Sequence, residues 1–355
     1  MEERPVVRVA FLDVGQGDTN IVSVPMTQEA VIVDCNDADT VLDYLEREGI
    51  QHLRGLLVTH LHLDHYSGVV QLLDNLEQIA NLNCERILFR GPLLSRSLRD
   101  ALLPDEDNHS EGEPGNSTDT RKRKDSLVGL LKWAQLYKQK HNSLTIQYEF
   151  TLPLSDILEL LHPWEIDVPD LLASGLNNTS AIIKVKGSGS SALLTGDIEP
   201  IGWSRVDRTD LQSDVLKFPH HGAWQSNDVG SLLEAVQPSV VVISVGTSGS
   251  RYNHPNPHVF EALAQLNGTR LLCTQATGQC GHLTGQKYGD VIESFKREAE
   301  STGSFFIERN GCPCAGTIVV ELGDSVRILQ PRPDFHRTEI IGRFYEQHKC
   351  NLQND

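Results

Sequence analysis

The apolar run Leu56-Leu57-Val58 is followed at once by Thr59-His60-Leu61-His62-Leu63-Asp64-His65, which sets three imidazoles and a carboxylate within six positions. No other stretch constrains the chain as much, because a buried strand must end where polar groups begin, and those groups must find partners. On an extended exit from the strand His60 and His62 project to one side. Asp64 and His65 follow as the chain turns into a helix opened by Ser67-Gly68. One pair can hold one cation and the next pair a second. Neutral imidazole suits zinc and other borderline first-row metals, and a carboxylate adds charge and a hard oxygen donor. A divalent-metal site, with two ions, is the expectation.

Around this motif the chain alternates strand and helix patterns. Short β-branched runs over 6–12, 19–24 and 30–34 predict strands. A helix is predicted over 40–48, capped by Asp39 or Thr40 and ended by Gly49; a strand over 55–58 delivers the histidines, and a helix follows over 67–79. Later strands are predicted over 181–185, 191–194, 215–218 and 240–245, and the last three each run into polar candidates. This rhythm predicts an α/β layered fold. It is broken over 92–125, a polar stretch read as a mobile surface insertion that ends in the basic tetrad Arg121-Lys122-Arg123-Lys124. The tetrad is suited to a phosphate backbone or, more ordinarily, to the solvated entrance of an amphipathic helix over 127–137.

Further motifs follow in order: Asp13-Val14-Gly15-Gln16-Gly17-Asp18, Asn177-Asn178-Thr179-Ser180, Leu194-Thr195-Gly196-Asp197, Lys217-Phe218-Pro219-His220-His221-Gly222 and Tyr252-Asn253-His254-Pro255-Asn256-Pro257. With His-x-His-x-Asp-His at a strand end, this series resembles the metallo-β-lactamase superfamily. More narrowly it is similar to the hydrolase domain of the ComEC-type competence proteins, in a stand-alone soluble form. The resemblance implies a metallo-β-lactamase αβ/βα sandwich, with two mixed sheets face to face, helices outside and the metal site at one edge.

It also implies roles. His60, His62, Asp64 and His65 would ligate, Asp197 would bridge the two metals, and His221 would join the second, with His220 in support or in its place. Adjacent residues on an extended chain face opposite ways, so only one of that pair can readily enter the site. Asn178 and Ser180 stand where most of the superfamily has a third histidine, and an amide oxygen is a harder donor that shifts preference towards manganese. His162, before Pro163, lies apart from that motif. Asp13, Gln16, Asp18 and Asp34 complete an acidic neighbourhood. Asp34 is placed to accept an N–H from a ligating histidine. His254 would give a proton to the leaving group, Arg251 would clamp a phosphate, Lys217 is a third catalytic candidate beside Asp64 and His254, and Ser244, Thr247, Ser248 and Ser250 add hydroxyls. A water shared by two cations is acidified towards neutrality and becomes a hydroxide nucleophile. The expected activity is hydrolysis of phosphodiester bonds, with DNA as substrate. The alternatives are a small-molecule phosphodiesterase or lactonase, and an interaction subunit with a vestigial site.

Cys273-x6-Cys280-x-His282 and Cys312-x-Cys314 lead into a strand predicted over 317–321. A structural zinc is expected there, held by Cys273, Cys280 and Cys314 with Cys312 or His282 as fourth ligand; buried reduced thiols are the alternative. Residues 1–322 are assigned to the hydrolase domain and 323–355 to an extension open to docking on the body or on a partner protein. The net charge of −17 argues against a generally basic nucleic-acid coat without excluding an anionic substrate. The opening apolar run is too short and too charged for a signal-peptide core, and no run approaches the ~20 apolar residues of a membrane span. With seven cysteines, an odd number, a cytoplasmic setting and no membrane partner are expected.

Overall fold

The structure, a computed structural model, describes residues 5–78, 82, 84–89, 152–163, 168–224, 229–247, 254–266, 268–280 and 286–345. The insertion at 92–125 with its basic tetrad, the helix expected over 127–137, and Ser248, Ser250, Arg251, His282 and Cys350 lie outside these residues.

The chain opens with β1 (Val7–Phe11), β2 (Asn20–Val24) and β3 (Glu29–Val33), antiparallel neighbours. Helix α1 (Ala38–Arg47) returns it to β4 (His52–Val58), parallel to β3. The short α2 (Leu63–Tyr66) and α3 (Val69–Gln78) then lead to β5 (Ile87–Phe89), parallel to β4. The second half contributes β6 (Leu158–His162), β7 (Ile182–Lys186), β8 (Ser191–Leu194), β9 (Val215–Lys217), β10 (Val240–Ile243) and β11 (Arg270–Cys273). Its helices include α4 (Pro200–Trp203), α5 (Val229–Val236), α6 (Pro257–Ala264) and α7 (Gln286–Thr302). Strands β12 (Ile318–Leu322) and β13 (Val326–Gln330) close the fold. One sheet runs β13-β12-β1-β2-β3-β4-β5 and the other β11-β10-β9-β8-β7-β6, and both mix parallel and antiparallel pairs.

Strand alternation sorts the buried side chains into layers. Val9, Phe11, Val31 and Leu57 meet Ile183, Leu194, Val215 and Val242 between the two sheets. Ala10, Ile21, Ile32 and Leu56 point the other way and pack with Val41, Leu45 and Leu72 of α1 and α3. Leu193, Leu216, Val241 and Ile243 pack likewise with Leu232 of α5 and Phe260 of α6. The result is an αβ/βα sandwich. Each such side chain gains roughly 1.5–3 kcal/mol on full burial, and a one-residue slip would turn every one of them to the wrong layer.

Local details differ from the sequence reading. The cap of α1 is Asp37, whose carboxylate accepts the Thr40 N–H at 2.8 Å; neither Asp39 nor Thr40 serves, because the acceptor must precede that N–H by a turn. The helix predicted over 67–79 already begins at Leu63 and breaks at Gly68, where a Cβ would fall 2.8 Å from the Ala38 nitrogen that opens α1. The segment after 322 joins the body as far as Tyr345. Strand β13 pairs with β12, and Phe335, Ile340, Ile341 and Phe344 pack on Val291 and Phe295 of α7. No helix among the described residues is long and apolar enough to cross a membrane.

Candidate metal centre

Strand β4 ends at Val58, and the next residues turn inward against the end of β3. Asp34, held in left-handed backbone at φ 63°, accepts the Thr59 N–H at 2.7 Å and the Thr59 hydroxyl at 2.8 Å. Its Oδ2 also accepts from Nδ1 of His65 at 2.7 Å. A carboxylate only accepts, so the proton sits on Nδ1 and the bare Nε2 of His65 points away from Asp34. The same logic fixes His221. Its Nδ1 donates to the Ser244 carbonyl at 2.8 Å, leaving Nε2 directed inward.

Both Nε2 atoms face carboxylates. Oδ2 of Asp197 lies 3.1 Å from His65 Nε2 and 3.5 Å from His221 Nε2, and Asp64 Oδ2 lies 3.3 Å from His221 Nε2. Donor atoms of Asp64, His65, Asp197 and His221 all fall within 4.8 Å of one another. His65 Nε2, His221 Nε2 and Asp197 Oδ1 are buried without a hydrogen-bond partner. Lone pairs converging on lone pairs in a buried site repel unless a cation lies among them, so these residues fit a divalent metal by their own chemistry. With no cation among them, a proton takes that place: burial opposes charge on His221, yet Asp197 and Asp64 lift its pKa to about 10, so a metal would bind His221 by displacing the Nε2 proton. Burial likewise opposes charge on Asp197, and His65 and His221 hold it well below the usual carboxylate range.

His60 and His62 stand beside this group, with His60 Nε2 3.0 Å from His62 Nδ1 and 3.9 Å from Asp197 Oδ2. Burial lowers the pKa of both, most strongly for fully buried His60, so both imidazoles are neutral donors. Among the described residues they close no three-donor group with Asp197, and the groups that do close are Asp64, His65, Asp197 and His221, and Asp18, Asp34 and His65.

The adjacent histidines are separated by backbone conformation. Both His220 and His221 adopt left-handed φ, 51° and 53°, so the extended chain assumed for this pair does not apply. His221 turns into the cluster, while His220 Nδ1 lies 3.5 Å from Glu199 Oε1 and its ring 6.0 Å from that of His254. Gly222 makes that approach possible, since a Cβ there would fall 2.4 Å from Pro255. His254 therefore stands at the rim of the same site.

Several expected roles change. Asn178 does not offer its amide oxygen to the centre: Oδ1 accepts the Gly202 N–H at 2.8 Å and the NH2 donates to the Ser174 carbonyl at 3.1 Å. Ser180 supports instead of ligating, its hydroxyl accepting the Asp197 N–H at 3.0 Å. Lys217 is fully buried and ion-paired with Asp18, so it cannot reach a substrate from solvent. Asp13 turns away from the cluster to Gln275 Nε2 at 2.8 Å, and Gln16 accepts the Gly246 N–H at 3.3 Å. His162 Nε2 lies 3.2 Å from the Asn178 carbonyl oxygen. Ser244 contributes its carbonyl to the site, and Thr247 binds the Cys312 backbone.

Among the described residues, which do not include His282, the expected thiol ligands do not come together. Cys273 shares its strand face with Leu271 beneath the helices, whereas Cys280, Cys312 and Cys314 lie in the cluster under the C-terminal segment. Two-residue alternation in β11 decides this. Cys312 meets the Tyr345 hydroxyl at 3.2 Å and Cys314 meets His336 at 3.5 Å, and no group of three metal donors among the described residues includes a cysteine. Sequence reasoning missed Glu199, which accepts from Asn177 at 2.9 Å and approaches His220; it belongs to no motif, and only the fold brings it there.

No family model matches the chain. It is 24% identical over 291 residues to ComE operon protein 3 of Bacillus subtilis (strain 168), covering 76% of this chain and 32% of that protein. It is 34% identical over 105 residues to competence protein ComA of Neisseria gonorrhoeae, covering 29% of this chain and 15% of the other. It is also 45% identical over 53 residues to a hydroxyacylglutathione hydrolase of Shewanella sp. (strain ANA-3), covering 15% of this chain and 20% of that enzyme. The chain thus spans a third or less of the length of each of these relatives. The sandwich and its buried His/Asp cluster agree with the fold that the sequence resemblance implies.

Proposed function

We propose that the chain is a divalent-metal-dependent phosphodiesterase acting on DNA. The observation that carries this reading is the convergence of Asp64, His65, Asp197 and His221, with bare Nε2 atoms facing carboxylates. Likeness to a competence protein supports DNA as the substrate class. In this reading His65, His221, Asp64 and Asp197 would hold one cation, and His60 and His62, beside Asp197, would serve a second. Imidazole with carboxylate suits zinc or manganese. When bound, such cations acidify water and offset charge on a phosphoryl oxygen.

The chain's own residues do the positioning. Asp34 and the Ser244 carbonyl fix the tautomers of His65 and His221, and Ser180 holds the Asp197 loop through its backbone N–H. His254, half-buried at the rim, is lowered in pKa by burial and by the nearby His220, so it is neutral at neutral pH and would serve as the proton donor to the departing oxygen only after taking up a proton itself. Glu199 and Asn177 restrain His220 beside it.

A panel of zinc, manganese and magnesium against single- and double-stranded DNA, RNA and a chromogenic phosphodiester tests the proposal, with Asp197→Ala as control. DNA cleavage that needs metal and vanishes in the variant is the expected result. A second reading, hydrolysis of a small ester or thioester, is favoured by the hydroxyacylglutathione hydrolase likeness and by the net charge of −17. Turnover of small substrates alone would select it.

A further inference from the structure

Behind the centre, on the side away from the converging Nε2 atoms, lies a third carboxylate facing the same two imidazoles. Asp18 is fully buried, with Oδ1 3.8 Å from His221 Nδ1 and Oδ2 4.0 Å from His65 Nδ1. These are the nitrogens whose protons are already committed, to the Ser244 carbonyl and to Asp34. Asp18 thus stands just beyond hydrogen-bond distance of two N–H groups that it could take from their present acceptors. A carboxylate is the stronger acceptor than the Ser244 carbonyl.

What holds Asp18 off is Lys217. This ammonium, fully buried at the end of β9, pairs with Asp18 Oδ2, donates to the Gly196 carbonyl at 3.2 Å and lies 3.9 Å from Asp197 Oδ1. Thr195 fastens the same strand end, its hydroxyl donating to the Lys217 carbonyl at 2.6 Å. The Lys217 ammonium therefore touches the loop that carries Asp197 and the carboxylate that competes for the imidazoles.

We propose that Lys217 is a positioning residue that restrains Asp18, so that His65 and His221 keep their orientation and present Nε2 to a cation. This rests on reading Asp64, His65, Asp197 and His221 as a cation site, and not on the substrate assigned above. Without the ammonium, Asp18 is an unpaired buried charge with the His221 and His65 Nδ1–H groups 3.8 and 4.0 Å away. Each imidazole that rotates to meet it withdraws Nε2 from Asp197. Removing the Asp18 charge as well removes the competitor.

The test is manganese binding without substrate, by isothermal titration, on the full chain and on Lys217→Met and Asp18→Asn/Lys217→Met. Groups that orient metal ligands are worth about 10–100-fold in metal affinity. Lys217→Met is expected to bind manganese at least about tenfold more weakly, and the double variant is expected to return to within about threefold of the parent, a non-additivity that marks coupled residues. An equally weak double variant, or a single variant of parental affinity, overturns the proposal. Should Lys217→Met alone fail to fold, the double variant carries the test, because folded protein that binds manganese poorly would overturn it too. A parent that binds manganese but cleaves no nucleic acid would end the DNA assignment and leave this inference standing.

Discussion

Two regions of this molecule are rich in metal-binding side chains, and they behave in opposite ways. At the ends of β4, β8 and β9, imidazoles and carboxylates aim bare acceptor atoms at one another in a buried space. Under the C-terminal segment, Cys280, Cys312 and Cys314 lie among Val291, Phe295, Ile340 and Tyr345, and Cys312 and Cys314 meet a hydroxyl and an imidazole of the protein itself. The contrast shows that ligand chemistry does not make a site. In the first region protein partners occupy the outer nitrogens of the histidines and leave the inner ones for a cation. In the second the thiols behave as small buried hydrophobes.

The sharpest way to break this contrast is at Asp197. Asp197→Ala is expected to lower hydrolysis roughly a thousandfold, the scale on which single electrostatic groups of an active site act, and to lower bound metal measured by elemental analysis. An active variant with parental metal content would remove the first region's claim. Chelation comes next. Dialysis against a chelator is expected to lower the melting temperature in calorimetry, because a cation held at a hundred times its Kd adds ~2.7 kcal/mol, and zinc or manganese should restore it. An unchanged melting temperature would mean that the cluster holds nothing.

Asp13 tests the second region. Burial pushes its carboxyl from 3.8 to about 6, in spite of the hydrogen bond from Gln275. The native state then binds more protons than the unfolded chain between those values, so stability falls as pH rises from about 4 to about 6 and the cost persists above it. Asp13→Asn keeps the acceptor for Gln275 and Gly15 and should flatten that slope in urea denaturation, with a gain on the order of 2 kcal/mol at pH 7. A variant no more stable at pH 7 would place the charge at no cost. The smallest effect is expected at the thiols. Cys280→Ala and Cys312→Ala should cost about 1 kcal/mol each and leave metal content unchanged; loss of one zinc per chain would erase the distinction between the regions.

Much of the fold was legible because its signals are local. Strands β1 to β4 and β7 to β10 are β-branched or aliphatic runs between Gly, Asp and Pro, and their ends fell within three residues of the sequence reading. The sequence reading passed over β5, β6, β11 and the outer helices α5 to α7. Leu158–His162 carries Glu159 and His162 on a partly exposed edge strand, and Gln286–Thr302 mixes charge with apolar residues; in both, tertiary burial outweighs a weak local pattern. At the site, His60, His62, Asp64, His65, Asp197 and His221 were legible as metal-binding types after strand ends. Glu199 and the work of Thr59 and Ser244 were not, because each acts through a backbone or neighbouring group that no motif records.

By itself, the sequence determined the chemistry on offer and the layer each strand residue would face, since both follow from side-chain type and from periods of two or 3.6 residues. Only the tertiary structure decided which of His220 and His221 turned inward, that Asp18 would be held by Lys217, that Asn178 would serve a backbone N–H, and that Cys273 would part from the other thiols. These outcomes depend on how two sheets pack and where a left-handed turn falls. Residues 65 and 221 meet only when the whole sandwich closes, and local spacing carries no information about that distance.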